Sequence, residues 1–475
     1  MMWSRALLAH LKTQSLRFMP FADAASHELP IGKLLRLSLF QAVIGMTTSL
    51  LVGTLNRVMI VELGMPAWWV ALAFAIPLVF APFRALIGYR SDTHPSALGL
   101  KRIPYLWMGT LLLFGGLAIM PFALLLLSDP PPNTEWLGQI GVTLAFVLVG
   151  FGMQVTQTAG LALASDLSTE EKRPRVVALL YSMLLIGMIG SSVLYGVFLT
   201  DFTPTHLIQV IQGSAVIVVV FNLMSLWKQE ARSTKRGPRE ENGFQQNWQK
   251  LMAQASMRRF LWTVAIGTAA FSMQDIILEP FGAEVLGLDV SMTSALTALS
   301  AGGSLLAFFL ASQWLVRGVD ACRVASAGVV LGLPAFAFVI FSAPLDSPNL
   351  FRVGTFLIGF SSGLFSVGML VTAMSFNNDK FAGMVLGAWG AVQAMASGVA
   401  MAAGGFLRDT IASLATSGAL GTSLDSPATA YSFVYHIEIY MLFVVLIALG
   451  PLVRSSRHEV AKPQRSSFGL AEFPS

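Results

Sequence analysis

Asp275 and Glu279 stand four residues apart in an otherwise apolar segment, so on a helix their carboxyls share one face; Pro280 follows at once and loosens or kinks the helix there. Arg57, with Asn56 beside it and Glu62 further along, lies in a second such segment. Ionisable groups in these surroundings are costly and mark binding, gating or proton-handling positions. A guanidinium and two carboxyls offer three kinds of chemistry: a static ion pair that closes a cleft, the positioning of a bound molecule's polar edge, or titration during transport. His436, in the run Tyr435-His436-Ile437-Glu438, is the histidine placed plainly inside an apolar segment. A single imidazole there bonds a neighbouring helix, relays a proton, or gives one axial ligand to a metal already chelated by a macrocycle. With no second histidine near it, a metal site built from protein alone is not expected. Gln154 and Gln157, with Thr156 and Thr158, form a polar patch that lines a cavity or joins helices.

The elements that hold these residues follow from composition. The chain has 475 residues, of which 55% are hydrophobic and 12% charged, about half the charge of an ordinary soluble domain. A water-exposed enzyme of one or two domains is excluded, and an all-α integral membrane protein is the fold class expected. Segments of the roughly 20 apolar residues that cross a bilayer recur twelve times. They run over 37–61, 69–88, 103–127, 140–164, 176–200, 207–227, 260–281, 292–316, 324–342, 353–376, 381–406 and 431–453. Alternate connections and both tails carry 26 of the 30 Lys and Arg, the opposite connections carry 2, and Arg57 and Arg84 lie inside spans. The positive-inside rule then places both termini in the cytoplasm. The net charge of +5 serves this topology, and no nucleic-acid partner is expected. Cys322 is the single cysteine, which excludes internal disulfides and multi-thiolate metal sites.

The longest basic stretch, 228–259, reads as a cytoplasmic linker between an N-terminal six-helix half (37–227) and a C-terminal one (260–453), with cytoplasmic segments 1–36 and 454–475 at the ends. Glu62-Leu63-Gly64-Met65 after span one resembles Val285-Leu286-Gly287-Leu288 after span seven, and Gly150-Phe151 resembles Gly359-Phe360. Two six-helix pseudo-repeats in this order are the major facilitator fold. Aligning the two Leu-Gly pairs puts Arg57 level with Pro280. Both helices flank the central cleft of that fold, so an ion pair between Arg57 and Asp275 or Glu279 is predicted. After span two, Gly88 and Asp92 with Lys101 and Arg102 partly match the facilitator loop signature, in which an acid can face a helix N-terminus and latch one state. Gly187 with Ser191, Ser192 with Gly196, Gly359 with Gly363, and Gly383 with Gly387 fit close helix packing. No phosphate-binding loop with its Lys, no Ser/His/Asp grouping and no His-Glu helix motif is present, so neither an enzyme nor an ATP-driven pump is expected.

Several stretches resemble a known family: 17–24 (RFMPFADA), 34–41 (LLRLSLFQ), 53–64 (GTLNRVMIVELG), 84–92 (RALIGYRSD) and 274–282 (QDIILEPFG). They are similar to the PucC/LhaA family, the bacteriochlorophyll delivery branch of the major facilitator superfamily in purple phototrophic bacteria, over about 17–453. Length and the extended N-terminus look more like the LhaA branch, which serves the core antenna. The resemblance implies an assembly factor for the light-harvesting antenna that binds bacteriochlorophyll as cargo. Its implied partners are the light-harvesting alpha and beta polypeptides, bacteriochlorophyll synthase and membrane lipids, and its implied location is the inner or intracytoplasmic membrane. Arg57, Asp275 and Glu279 would then close the cleft or orient the pigment's polar edge, and His436 would be a candidate magnesium ligand. The residues themselves leave two alternatives: an ion-coupled secondary transporter in which Asp275 or Glu279 titrates, and a pigment-free scaffold for antenna helices.

Overall fold

The structure is a computed structural model and describes residues 30–79, 81–82, 100–129, 135–168, 173–230, 248–249, 252–375, 382–421 and 424–459. Within these lie the helices α1 (Ile31–Glu62), α2 (Ala67–Val79), α3 (Ile103–Ser128), α4 (Glu135–Leu167), α5 (Arg173–Phe198) and α6 (Pro204–Leu226). The second half carries α7 (Ala255–Glu284), α8 (Val290–Val316), α9 (Ala321–Ser342), α10 (Pro348–Ser375), α11 (Ala382–Thr416) and α12 (Pro427–Glu459). Eleven are long and apolar enough to cross a bilayer. The remaining one, α2, is helical to Val79, with Ala81 and Pro82 in a turn; the rest of its expected continuation to Gly88 lies outside the described residues, as do most of the 228–259 linker, Gly88 and Asp92.

Local chemistry starts several helices where the sequence turns. Thr203 accepts a bond from the His206 N–H at 3.1 Å with Pro204 at the first helical position of α6, and Asp289 accepts from the Met292 N–H at 2.7 Å to start α8. Spans one and seven end alike: Gly64 and Gly287 take φ +63° and +62°, and the next N–H reaches back six residues, Met65 to Met59 O and Leu288 to Gly282 O, each at 2.9 Å. This left-handed glycine cap is what the repeated Leu-Gly pair encodes.

Apolar side chains also cover the outside of the bundle, among them Phe122, Trp262, Tyr440 and Ile447, which suits a lipid solvent. The halves meet along two seams, α2 with α11 and α5 with α8, exchanged by the pseudo-twofold relation of the repeats. The first seam is close because α11 presents glycine: a Cβ on Gly405 would lie 2.7 Å from the Ala67 carbonyl oxygen and the Ala71 methyl. One continuous apolar core runs through both halves: in the first half it occupies the end bearing the Glu62–Pro66 turn, called here the basic-poor end, and in the second half it extends along the bundle from Phe281 to Met257 and Leu452. Toward the other end, Leu34, Leu37, Phe40, Leu106 and Leu163 of the first half form a core of their own.

Candidate functional site

Arg57 is buried, but its partner is neither of the predicted acids. Its Nη1 lies 2.6 Å from Glu62 Oε1, and its Nη2 donates to the Leu288 carbonyl at 3.4 Å. The predicted pair with Asp275 or Glu279 is therefore corrected, and the reason is the winding of α1. Ser49–Leu55 and Val58–Glu62 are π-helical, and i to i+5 winding stacks residues five apart, so Arg57 meets Glu62 on its own helix. An ordinary α-helix would carry Glu62 well around the axis from Arg57.

The helix carrying Asp275 and Glu279 does break, but before the proline. Ala255–Ser272 is α-helical, Met273–Ile276 is a 3₁₀ turn, and the α-helix resumes over Leu278–Glu284, with Pro280 in its first turn where no N–H is needed. Side chains from two other helices take up backbone groups at the break. Glu438 Oε1 on α12 accepts from the Gln274 N–H at 2.7 Å, and Asn56 Nδ2 on α1 donates to the Ile276 carbonyl at 2.7 Å. Glu279 Oε1 accepts from the Thr297 hydroxyl on α8 at 2.8 Å, and Asp275 Oδ1 accepts from Gln274 Nε2 at 2.7 Å. The break is thus held by α1, α8 and α12 together. Asn56 ties the first half to the second at this depth.

The centre is rich in oxygen and short of donors. Glu279 Oε2, Glu438 Oε2, Asn56 Oδ1, Gln274 Oε1 and the Tyr435 hydroxyl are buried without a hydrogen-bond partner. No ion pair between described residues reaches Asp275, Glu279 or Glu438, and no group of three His, Cys, Asp or Glu among the described residues converges to chelate a metal. Broken helices with buried acids are the form in which membrane proteins handle protons and cations.

A second network clasps the halves near the basic-poor end. Arg408 on α11 contacts Glu284 at 2.5 Å, the Tyr431 hydroxyl at 2.9 Å and Asp409 at 2.9 Å, and its guanidinium lies 4.9 Å from the Tyr431 ring centroid. Asp409 Oδ2 in turn accepts from the Trp68 N–H at 2.8 Å, capping α2 from the opposite half. Sequence reading missed this network and missed Glu438. For Glu438 the signal was present, since an acid two residues beyond His436 is as costly in a span as Asp275.

The other predicted residues scatter. Gln154 is buried with Oε1 unpartnered, and Gln157 is half-buried. Arg102 Nε pairs with Asp166 at 3.0 Å, and Glu230 accepts from the backbone N–H groups of Lys101, Arg102 and Ile103 at 2.7 to 3.2 Å. The basic end of the loop motif therefore forms the capped start of α3. His436 is exposed on the outer surface of α12, its Nδ1 2.6 Å from the Ser432 carbonyl of the same helix, so it makes no interhelical bond through that nitrogen.

Comparison with known proteins supplies a lineage. Residues 54–457 match the family model described as PUCC protein. The chain is 48% identical over 482 aligned positions to the "Uncharacterized protein in puhA-bchM intergenic region" of Rhodobacter capsulatus, covering 100% of both chains. It is 49% identical to "Protein PucC" of Rhodovulum sulfidophilum, over 86% of this chain and 92% of that one. The "Bacteriochlorophyll synthase 44.5 kDa chain" of Rhodobacter capsulatus is 26% identical over 91% of this chain and 97% of that one. Among solved structures, the POT family transporter PepTSo aligns at TM-score 0.67 and 12% identity, over 90% of this chain and 98% of that one. A bacterial homologue of the iron transporter ferroportin aligns at TM-score 0.66 and 13% identity, over 88% and 98%. These two likenesses show the fold: the helices α1 to α12 of the described residues take the major facilitator arrangement.

Proposed function

Because the chain belongs to the PucC family, we propose that it is an assembly factor for the photosynthetic light-harvesting antenna, of the core type, which binds bacteriochlorophyll and delivers it to the alpha and beta apoproteins within the membrane. The observation that carries this reading is kinship along nearly the whole chain: the matched region runs from α1 to α12 and contains Asn56, Arg57, the α7 break and Glu438. The geometry is compatible. A bundle whose described halves are clasped at one end, and whose outer surface is apolar and aromatic, suits the handling of an apolar amphiphile and of single-span polypeptides from the lipid side. In this reading both termini are cytoplasmic, the membrane is the inner or intracytoplasmic one, and bacteriochlorophyll synthase is a neighbour.

The test is purification of the tagged protein in mild detergent from a pigment-producing host, followed by a near-infrared spectrum and identification of copurifying proteins. Bound bacteriochlorophyll together with antenna polypeptides is the expected result. Antenna polypeptides without pigment would reduce the protein to a scaffold, and neither would overturn the reading.

One observation favours a second reading. The acids at the α7 break have no cationic partner among the described residues, as in an ion-coupled transporter. Proton-driven uptake of a small solute into proteoliposomes, abolished by Glu279→Gln, is the result that would establish it.

A further inference from the structure

Among the described residues, His436 is a polar group on the outside of the bundle. Counted along α12, it lies about 14 Å from Pro427 and about 24 Å from Leu452, within the apolar slab of roughly 30 Å that a bilayer presents. Its neighbours on that exposed face are Phe433 one turn before it and Tyr440 and Phe443 one and two turns after it, at 44%, 65% and 50% exposure. An imidazole placed there gives up hydration, and the structure shows how half of it is compensated. The Ser432 carbonyl, 2.6 Å from Nδ1, can only accept, so the ring proton sits on Nδ1. In the neutral ring Nε2 then keeps its lone pair, with no hydrogen bond to a described residue.

That arrangement is the one metal-bound histidines use: the distal nitrogen donates to a carbonyl, which fixes the tautomer and makes the other nitrogen a better ligand. A bare metal ion is excluded as the occupant, because no group of three His, Cys, Asp or Glu among the described residues converges to hold one. What one lone pair can hold is a metal that brings its remaining ligands with it, with one axial position open. Aromatic rings a turn to either side suit a flat, apolar chelate.

Resting on the pigment-delivery reading, we propose that His436 Nε2 is the axial ligand of a magnesium tetrapyrrole bound on the lipid-facing surface of α12. The cargo therefore sits outside the bundle, where it passes laterally to an antenna helix without crossing the cleft between the halves. The bond formed is a dative one from Nε2 to magnesium, and it replaces the axial oxygen ligand, water or a lipid or detergent oxygen, that the pigment brings; no electron or net proton is exchanged.

The experiment uses the full-length protein in detergent, titrated with bacteriochlorophyll a and separately with bacteriopheophytin a, the same macrocycle without its metal. The visible band sensitive to axial coordination reports ligation. Wild type is expected to shift that band of the magnesium pigment from its oxygen-ligated position in detergent, as exchange to a nitrogen ligand requires, and to prefer the magnesium pigment to the free base. His436→Leu, at an exposed position, should weaken binding of the magnesium pigment by about tenfold and leave the free base unchanged. Should that variant aggregate, His436→Gly with and without added imidazole reads the same point, ligation returning with imidazole. If wild type and His436→Leu bind both pigments alike, the ligand assignment is overturned while pigment delivery stands. If wild type binds neither pigment, the delivery reading and this site fall together.

Discussion

Removing Glu62 should harm the protein more than removing Arg57, and the asymmetry can be worked from exposure. The Arg57 side chain is 6% exposed and that of Glu62 is 37%. Glu62→Gln keeps an amide oxygen that can accept from Nη1 but removes the countercharge of a buried guanidinium whose other described contact is one bond of 3.4 Å to the Leu288 carbonyl. Stripping the partner from a buried charge costs about 3 to 5 kcal/mol, and partial hydration of this site argues for about 3. Arg57→Met leaves an acid that turns to water or headgroups and keeps most of the stem's packing, so its cost is about 1 kcal/mol or less. The assay is unfolding in detergent for the two single variants and the double. The double variant should be more stable than Glu62→Gln, because the stranded charge is gone. Parallel cycles of Arg57 with Asp275 and with Glu279 should be additive within about 0.5 kcal/mol. The π-winding argument is refuted if Glu62→Gln is harmless, or if the Arg57–Glu279 cycle couples by more than about 1 kcal/mol.

Three other perturbations test the remaining geometry. Gly405→Leu drives a side chain into the Ala67 carbonyl and should cost about 1 to 3 kcal/mol, read as loss of a disulfide engineered across the α2–α11 seam. Glu438→Gln keeps an acceptor for the Gln274 N–H whereas Glu438→Leu strands it, so the leucine variant should be about 1 to 3 kcal/mol the less stable in thermal unfolding. Glu230→Ala removes the acceptor shared by three N–H groups at the start of α3 and should cost about 1 to 2 kcal/mol, with hydrogen exchange rising at residues 101–103 and unchanged at the α7 break.

How much of this was legible in the sequence depends on the range of the interaction. Apolar runs and the asymmetry of basic connections reveal the spans because both are local properties. The repeated Leu-Gly pair was legible for the same reason, since one glycine in the left-handed region ends each span. The discontinuity in α7 could be anticipated from Asp275, Glu279 and Pro280, but its position could not. A 3₁₀ turn at Met273–Ile276 is tolerable only because Asn56 and Glu438, 220 and 164 residues away from their partners at the break, supply a donor and an acceptor there. The partner of Arg57 was misread because the depth argument assumed α-winding along α1. Once five residues make the stacking interval, the local acid outcompetes the distant ones. Arg408 went unnoticed for a related reason: it stands at a span end, where a cation is unremarkable until Glu284, Tyr431 and Asp409 are brought around it.

The bond from Asn56 to the Ile276 carbonyl also bears on how the chain is made. In synthesis order Asn56 precedes its acceptor by 220 residues, so when the first half enters the bilayer a donor amide at this depth has nothing to bond. Glu279 is likewise followed only later by Thr297 and later still by the span that brings Glu438. The first six helices are therefore an incomplete unit with a polar scar on the surface that will face their partners. Closure of that scar, when the seventh and twelfth helices arrive, is the event that commits the two halves to each other.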